Sequence, residues 1–434
     1  MSAETPPLQI VHDNDYDIII SGGGLVGASL AIALADLPLK IALVEAILPD
    51  NADASSFDER SIALSRTSKT ILDALGVWSG LDDQAWAIDQ IHVSEKGRFG
   101  NSLLDAEEQG IDHLGHVVKS RLIGRSLWQR LSDCSAIDVF CPARVGMVTT
   151  LEAGVKVSIE GDNSCELRGS LLVVADGARS SVREQLGVAA NNKSYEQAAI
   201  IGNVSVDKQY SGHVAYERFT NEGPVALLPG ADGVYTFVLT RHSDEVETTM
   251  SLSDADMLAL LQKIFGHRLG VFQNLGQRFS YPLYLTTTEA LIADHAIIIG
   301  NAAHGLHPVA GQGFNLGLRD AATLAEVVAD AIANPAEDVA SLLQQKIPEV
   351  QKNYCEWRHN DQQNVVRFTD GLIRFFSTSN NMVGIMRGLT LLGFDLLPTA
   401  KRSLARYAMG LGGRMTKLAR GVKPELANSS ESDS

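Results

Sequence analysis

Cysteine is scarce and poorly spaced for cross-linking: Cys134, Cys141, Cys165 and Cys355 are the four in 434 residues, and no two form a CxxC pair. That argues against a disulfide framework and a zinc site, and fits a reducing cytosol. Positive charge is also short, with 36 Lys and Arg against 52 Asp and Glu for a net −16. A general nucleic-acid partner would require the opposite, a basic surface that neutralises phosphates. No apolar run reaches the ~18 residues of a membrane span. The opening MSAETPPLQIVHDND is polar and acidic where an export signal would be basic and then apolar. The expected setting is cytoplasmic. What the chain does have is 45% hydrophobic residues and a length beyond the usual single domain, so two or three packed units with a large core are expected.

The clearest local pattern comes first. YDIIIS, Tyr16 to Ser21, is a β-branched run short enough for a buried strand; GGGLVG then leads into the helix-forming ASLAIALAD, and IALVEA from Ile41 is a second strand. A bare GxGxxG is a weak signal, but between a strand and a helix it has a mechanism. Gly22 permits a tight turn, Gly24 lets backbone N–H groups approach a pyrophosphate, and Gly27 lets the helix lie close on the strand, with Leu25 and Val26 between them. Glu45 at the end of the second strand can accept hydrogen bonds from a ribose 2′-OH and would repel a 2′-phosphate. The site therefore suits FAD or NAD over NADP.

Further along, Arg66–Leu75 and Lys119–Leu131 read as helices, and Val145–Val174 as short strands turning at EAG and EGDNS. LLVVADGARSSVRE is a strand ending in Asp176 and Gly177; Asp176 either contacts a cofactor or caps a helix begun at Ala178, and the two are compatible. Ala198–Leu239 predicts antiparallel strands, a separate unit. AIIIGN from Ala296 is another buried strand, delivering the stretch GNAAHGLHPVAGQGFNLGLRD. There a helix begins near Phe314, and its free N–H groups and positive dipole end favour negative charge in the loop. Gly311 and Gly313 would let backbone meet a flat ring without Cβ collisions, so the loop is read as holding an isoalloxazine. Asn301 either meets the cofactor or satisfies loop backbone. His304 and His307 have HxxH spacing, but Pro308 follows and no third ligand is near, which disfavours metal.

Taken in order, GGGLVG with Glu45, VVADGARSSVR and GNAAHGLHPVAGQGFNLGLRD resemble the single-component FAD-dependent aromatic hydroxylases of the para-hydroxybenzoate hydroxylase type. FDERSIALS, LGHVVKSRL, AYERFTNEGPVALLP and AGQGFNLGLRD resemble, within that group, the ubiquinone-biosynthesis hydroxylases. The likeness spans about Tyr16 to Val422. Where many such enzymes carry Gly-Asp, this chain has Gly300-Asn301, similar to the 2-polyprenyl-6-methoxyphenol hydroxylase branch. The resemblance implies an α/β fold: a Rossmann-type FAD-binding domain (14–78, 112–188 and 278–350) interleaved with a mostly antiparallel-sheet substrate domain (79–111 and 189–277). A C-terminal helical region (351–423) and a disordered tail (424–434) follow.

It also implies ring hydroxylation with FAD as cofactor and NAD(P)H and O2 as co-substrates. The pyrophosphate falls to Gly22, Gly24 and Gly27 and the ribose to Glu45. Arg60 and Arg125 become phosphate or flavin contacts, though each also reads as ordinary surface. Asp176 and Gly177 match a motif linked to FAD and NADPH, Asn301 meets the ribityl or pyrophosphate region, and Gly311, Gly313, Phe314 and Asn315 face the ring. Pro308 would border the oxygen-reacting side; with Gly311 it belongs to the flavin environment. No nucleophile is required, and a group that deprotonates the phenol cannot be placed from the sequence.

From Met382 to Lys423 there are eight Lys or Arg against one acid, a local +7 interleaved with apolar residues. Such a stretch suits the inner face of an anionic membrane, or an acidic protein of a quinone-biosynthesis complex, and a lipophilic prenylated phenol as substrate. It reads equally as helices packed on the body with a solvated basic face. The alternatives for function are hydroxylation of another phenol or ring position, and a flavin-binding scaffold with little turnover.

Overall fold

A computed structural model describes residues 15–47, 60–98, 100–161, 164–207, 212–306, 311–333, 338–377, 406 and 409–425. The chain opens with β1 (Tyr16–Ser21), α1 (Leu25–Leu34) and β2 (Ile41–Val44). Helix α1 is apolar all round because it is enclosed all round, every residue from Gly27 to Leu34 being buried. Next come β3 (Ser61–Ser65) and α2 (Arg66–Ala74), where Ser65 caps the helix by accepting the Ser68 N–H. They lead to β4 (Trp86–Ile88), β5 (Gln90–Glu95), β6 (Asn101–Asp105), β7 (Gly115–Lys119) and α3 (Ser120–Ser132). A meander follows: β8 (Ile137–Phe140), β9 (Ala143–Leu151), β10 (Gly154–Gly161), β11 (Cys165–Val174) and the short α4 (Ser181–Gln185). The second half holds β12 (Ala190–Ser205), β13 (Val214–Thr220), β14 (Gly223–Pro229), β15 (Val234–His242), α5 (Val246–Met250) and α6 (Asp254–Phe265). It closes with β16 (Phe279–Thr288), β17 (Ile292–Ala293), β18 (Ala296–Ile298), β19 (His304–Gly305), α7 (Gln312–Ala331) and α8 (Val339–Ser377).

Among the described residues these strands form three sheets. The first has the order β17-β18-β11-β1-β2-β8, with β18, β11, β1, β2 and β8 all parallel. Its central strands are buried on both faces and therefore read as unbroken Ile, Leu and Val. Strand β11 serves twice: its first half pairs antiparallel with β10, and Gly169–Val174 pairs with β1. The second sheet runs β19-β16-β12-β15-β14-β13-β5-β6 and is antiparallel except between β5 and β13. Helix α6 packs on its outer face through Met257, Leu261, Ile264 and Phe265 against Ile200, Leu227, Phe237 and Leu239. Each such fully buried aliphatic side chain contributes about 1.5–3 kcal/mol. The third, β3-β7-β4, is small and lies between the other two.

Two helix starts differ from the sequence reading. α4 begins at Ser181, not Ala178, because Ser180 is extended and its Oγ accepts the Arg183 N–H at 2.9 Å. α7 begins at Gln312, two residues before Phe314, because Gly311 takes a left-handed φ of +60° and lets the loop turn straight into helix.

Candidate active site

The ends of β1, β2, β11 and β18 deliver Gly22, Glu45, Ala175–Asp176 and Ile299–Gly300 to the carboxyl edge of one parallel sheet. That edge is where open α/β sheets bind ligands.

In the first turn each glycine has its own reason. Gly22 has φ +103°, and a Cβ there would lie 2.5 Å from the Ala175 carbonyl oxygen. A Cβ on Gly27 would lie 1.9 Å from the Gly22 carbonyl oxygen, so only glycine lets α1 rest on the turn. Around Gly24 nothing comes within 4 Å of a Cβ position, an open cradle at a helix start that no side chain caps. Leu25 and Val26 open α1, and the Val26 side chain is wedged under Gly300 and Gly317. Glu45 is 8% exposed; its Oε2 accepts the Gly23 N–H at 2.6 Å and its Oε1 the Ile47 N–H at 2.9 Å. Burial raises its carboxyl above the usual value, and these backbone donors partly offset that. Each oxygen keeps a lone pair for a ribose hydroxyl. Trp128, missed in the sequence reading, donates its indole N–H to the Gly23 carbonyl at 3.0 Å. It is one helical turn beyond Arg125, which is exposed on α3, and the i, i+3 spacing inside IGRSLW was the available signal.

At the end of β11, Asp176 reaches Ser180 and the Val182 backbone, while its Oδ1 is buried with no partner. Burial raises this carboxyl too. Gly177 has φ +92° and open space at its Cβ position. Asn301 lies exposed in a single 3-10 turn, Gly300–Ala302. Its neighbour Gly300 is anchored from behind: the N–H donates to Asp320 Oδ2 at 3.0 Å. Asp320 is fully buried and also accepts from His304 Nε2 at 2.5 Å, Arg358 Nε at 2.7 Å and Gln362 Nε2 at 2.9 Å. Burial alone would raise its carboxyl, but Arg358 and then His304 outweigh it and hold it well below the usual range. His304 is thus a partner of Asp320, and among the described residues no cluster of three or more His, Cys, Asp or Glu has metal-site geometry.

At the start of α7, Gly311 would bring a Cβ 3.2 Å from that of Ala63 in β3, while the Cβ position of Gly313 is open. Phe314 is partly exposed and packs on the main core. Asn315, read from the sequence as facing the ring, directs its side-chain hydrogen bonds to neighbouring protein groups. Its Oδ1 accepts Ser65 N–H (2.9 Å) and Ser68 Oγ–H (2.6 Å), and its Nδ2 donates to Ala63 (2.9 Å) and Gly311 (2.8 Å) carbonyls. Asn315 therefore ties β3 and α2 to the Gly311 turn. Arg60, exposed at the head of β3, stacks over the Tyr281 ring at 4.8 Å. His307 and Pro308 lie outside the described residues, as does most of the basic stretch Met382–Lys423.

The open cradle at Gly24, the orphaned Asp176 oxygen and the buried acceptor Glu45 fit a dinucleotide whose phosphates lie at a helix start. Residues 15–345 match the family described as FAD binding domain. The chain belongs to that family. It is an FAD-dependent monooxygenase, with NAD(P)H as electron donor and O2 as co-substrate. It is 33% identical over 422 residues to the ubiquinone hydroxylase UbiL of Rhodospirillum rubrum, covering 96% of each chain. It is 28% identical over 407 residues to the 3-demethoxyubiquinol 3-hydroxylase of Escherichia coli, covering 91% of this chain and 98% of that one. The crystal structure of p-nitrophenol 4-monooxygenase PnpA from Pseudomonas putida shares the fold, with TM-score 0.71 at 16% identity over 92% of this chain and 99% of that one. Bound FAD supplies the redox chemistry of such an enzyme, carrying electrons from NAD(P)H to O2. The protein's part in such an enzyme is to bind the cofactor, keep the reacting site dry and orient the substrate, and the strand ends carrying Gly22, Glu45 and Asp176 are the groups that would hold it here. Among the described residues no helix is long and apolar enough to cross a membrane.

Proposed function

We propose that this monooxygenase hydroxylates the ring of a prenylated phenol in ubiquinone biosynthesis, its substrate being a 2-polyprenyl-6-methoxyphenol. The observation that carries the reading is the likeness over 96% of both chains to a protein named ubiquinone hydroxylase. Gly300-Asn301 supports the particular branch. The Escherichia coli relative is named for another ring position, so hydroxylation of a later intermediate is the second reading.

In this reading the FAD pyrophosphate lies on the Gly22–Gly27 turn and its ribose on Glu45, with Arg125 and Trp128 beside them. Asp176, Gly177 and Asn301 line the path toward the flavin, and Gly311 and Gly313 face its ring beside Pro308. The parallel sheet forms the cofactor unit and the antiparallel sheet the substrate unit. The basic C-terminal stretch brings the enzyme to an anionic membrane where such phenols dissolve, which co-sedimentation with anionic vesicles tests.

The deciding experiment is mass spectrometry of quinone intermediates in cells with and without the chain. Build-up of the 2-polyprenyl-6-methoxyphenol, reversed by restoring the chain, is expected; build-up of a later intermediate instead would favour the second reading.

A further inference from the structure

The second sheet carries a polar oddity on its inner face. Registered across six strands, Val93 (β5), Glu217 (β13), Ala226 (β14), Val238 (β15), Ile201 (β12) and Phe279 (β16) form one continuous row. The next row, Tyr216, Leu227 and Phe237, packs beneath α6, so alternation turns the Glu217 row the other way, toward β3. Strand β3 is fixed to that inner face by Ser61 Oγ at 2.8 Å from Thr236 Oγ1, and two residues on its Ala63 meets the Gly311 turn. The inner row therefore confronts the side from which the Gly311 loop approaches.

This row keeps accessible surface: Val93, Glu217, Ala226, Val238 and Ile201 are each partly exposed and Phe279 is 38% exposed, as are Ile91, Leu228 and Asn203 beside them in part, whereas Ala199, Phe219, Thr236 and Thr240 at its margins are buried. It is an apolar trough with one carboxylate in it. Beyond Val93 the row ends at Ser102 of β6, buried, with an Oγ that has no hydrogen-bond partner.

We propose that Glu217 is the group that accepts the phenol proton during ring hydroxylation, the apolar trough beside it holding the ring and the start of its prenyl tail. This rests on the substrate class read above. The O–H bond breaks as the ring attacks the electrophilic oxygen: the proton passes to the Glu217 carboxylate, and the electron pair left on the phenol oxygen flows into the ring. When the attacked carbon sheds its own proton to restore aromaticity, that proton leaves with the second oxygen atom as water, and Glu217 returns the first proton to the phenol oxygen. One oxygen atom of O2 enters the ring and the other leaves as water, with NAD(P)H the two-electron reductant. A carboxylate suits this task only if it is more basic than an ordinary one. Although Glu217 keeps some accessible surface toward the trough, the atoms packed around its carboxyl desolvate it and push it up to about 7. Few charges share that side: Glu95 of β5 with Arg98 beside it, Tyr281 of β16 beneath Arg60, and, where α8 packs on β13 and β14, Asp370 paired with Lys193 of β12. The row itself carries no charge from β12, β14 or β15, where it is Ile201, Ala226 and Val238.

The test compares wild type with Glu217→Gln and Glu217→Asp as FAD-loaded, full-length proteins, using a short-tailed 2-alkyl-6-methoxyphenol. Flavin content should match wild type in both variants. Hydroxylation by Glu217→Gln should fall about 10²- to 10⁴-fold; turnover of the wild type should rise with pH near 7 and that of Glu217→Gln should not, while Glu217→Asp should recover part of the rate. Stability supplies a readout free of turnover. A carboxyl raised in the folded state favours folding most at low pH, and that advantage is lost as pH rises from its ordinary 4.5 through about 7. Glu217→Gln should therefore melt above wild type at pH 8, by more than at pH 5. A Gln variant that hydroxylates at the wild-type rate with the same pH profile overturns the assignment of Glu217. A wild type that neither binds nor hydroxylates the phenol overturns the substrate reading instead.

Discussion

A methyl group separates two roles in the first glycine turn. On Gly27 it would meet the Gly22 carbonyl oxygen at 1.9 Å, backbone against backbone, so nothing flexible can yield. On Gly24 it would meet nothing within 4 Å, and Gly24 has φ −64°, ordinary for any residue. Gly27→Ala should therefore push α1 off β1 and cost about 1–3 kcal/mol of stability even in the apoprotein. Gly24→Ala should leave the apoprotein melting as wild type while weakening FAD, because the methyl fills the space a phosphate would occupy. Thermal melts of both apoproteins, followed by FAD titration, separate the two. If Gly24→Ala bound FAD with unchanged affinity, the pyrophosphate would not lie on this turn.

Between elements the governing group is Asp320, which ties the Gly300 loop, α7 and α8 to one carboxylate. Asp320→Asn leaves Arg358 buried with its charge opposed on one side only, by Asp361. Breaking such a pair costs about 3–5 kcal/mol. A carboxyl held below its usual value adds stability that is present above about 3.8 and is lost as pH falls below it. Wild type should thus lose more stability than Asp320→Asn on acidification below pH 4, and the variant should also retain FAD less well because Gly300 loses its anchor. Denaturant melts at pH 3 and 7 check both. None of this was readable in the sequence, because Asp320 finds partners 16, 38 and 42 residues away. The ties of Asn315 to β3 and α2 were hidden for the same reason, its carbonyl oxygen accepting from Ser65 and Ser68 some 250 residues earlier. The legible parts were those whose physics is local: the β-branched YDIIIS, the glycine turn, the meander around EAG and the alternating strands after Ala198. Even Glu217 shows alternation in AYERF, but which side looks inward depends on where α6 packs.

Across the whole molecule the candidate cofactor site is assembled from parts far apart in the sequence. The Gly22 turn, Asp176 and the Gly300 loop are brought together by strand order, since β1 pairs with β11 and β11 with β18. The Gly311 turn is held from the other direction, by Asn315 on β3 and by β3 on the second sheet. A ligand that reaches all four must stabilise both sheets as one body, whereas a ligand confined to the glycine turn would protect only the first. FAD binding the folded state alone adds about 2.7 kcal/mol at a hundred times its Kd, so the melting temperature should climb with FAD concentration without a plateau near one equivalent. Hydrogen exchange then locates the gain: amides of β1, β11, β18 and the start of α7 should slow together with those of β3. Slowing limited to the Gly22–Gly27 turn would mean that only the adenosine half of the cofactor is held where the strand ends meet, and that the flavin ring lies away from Gly311.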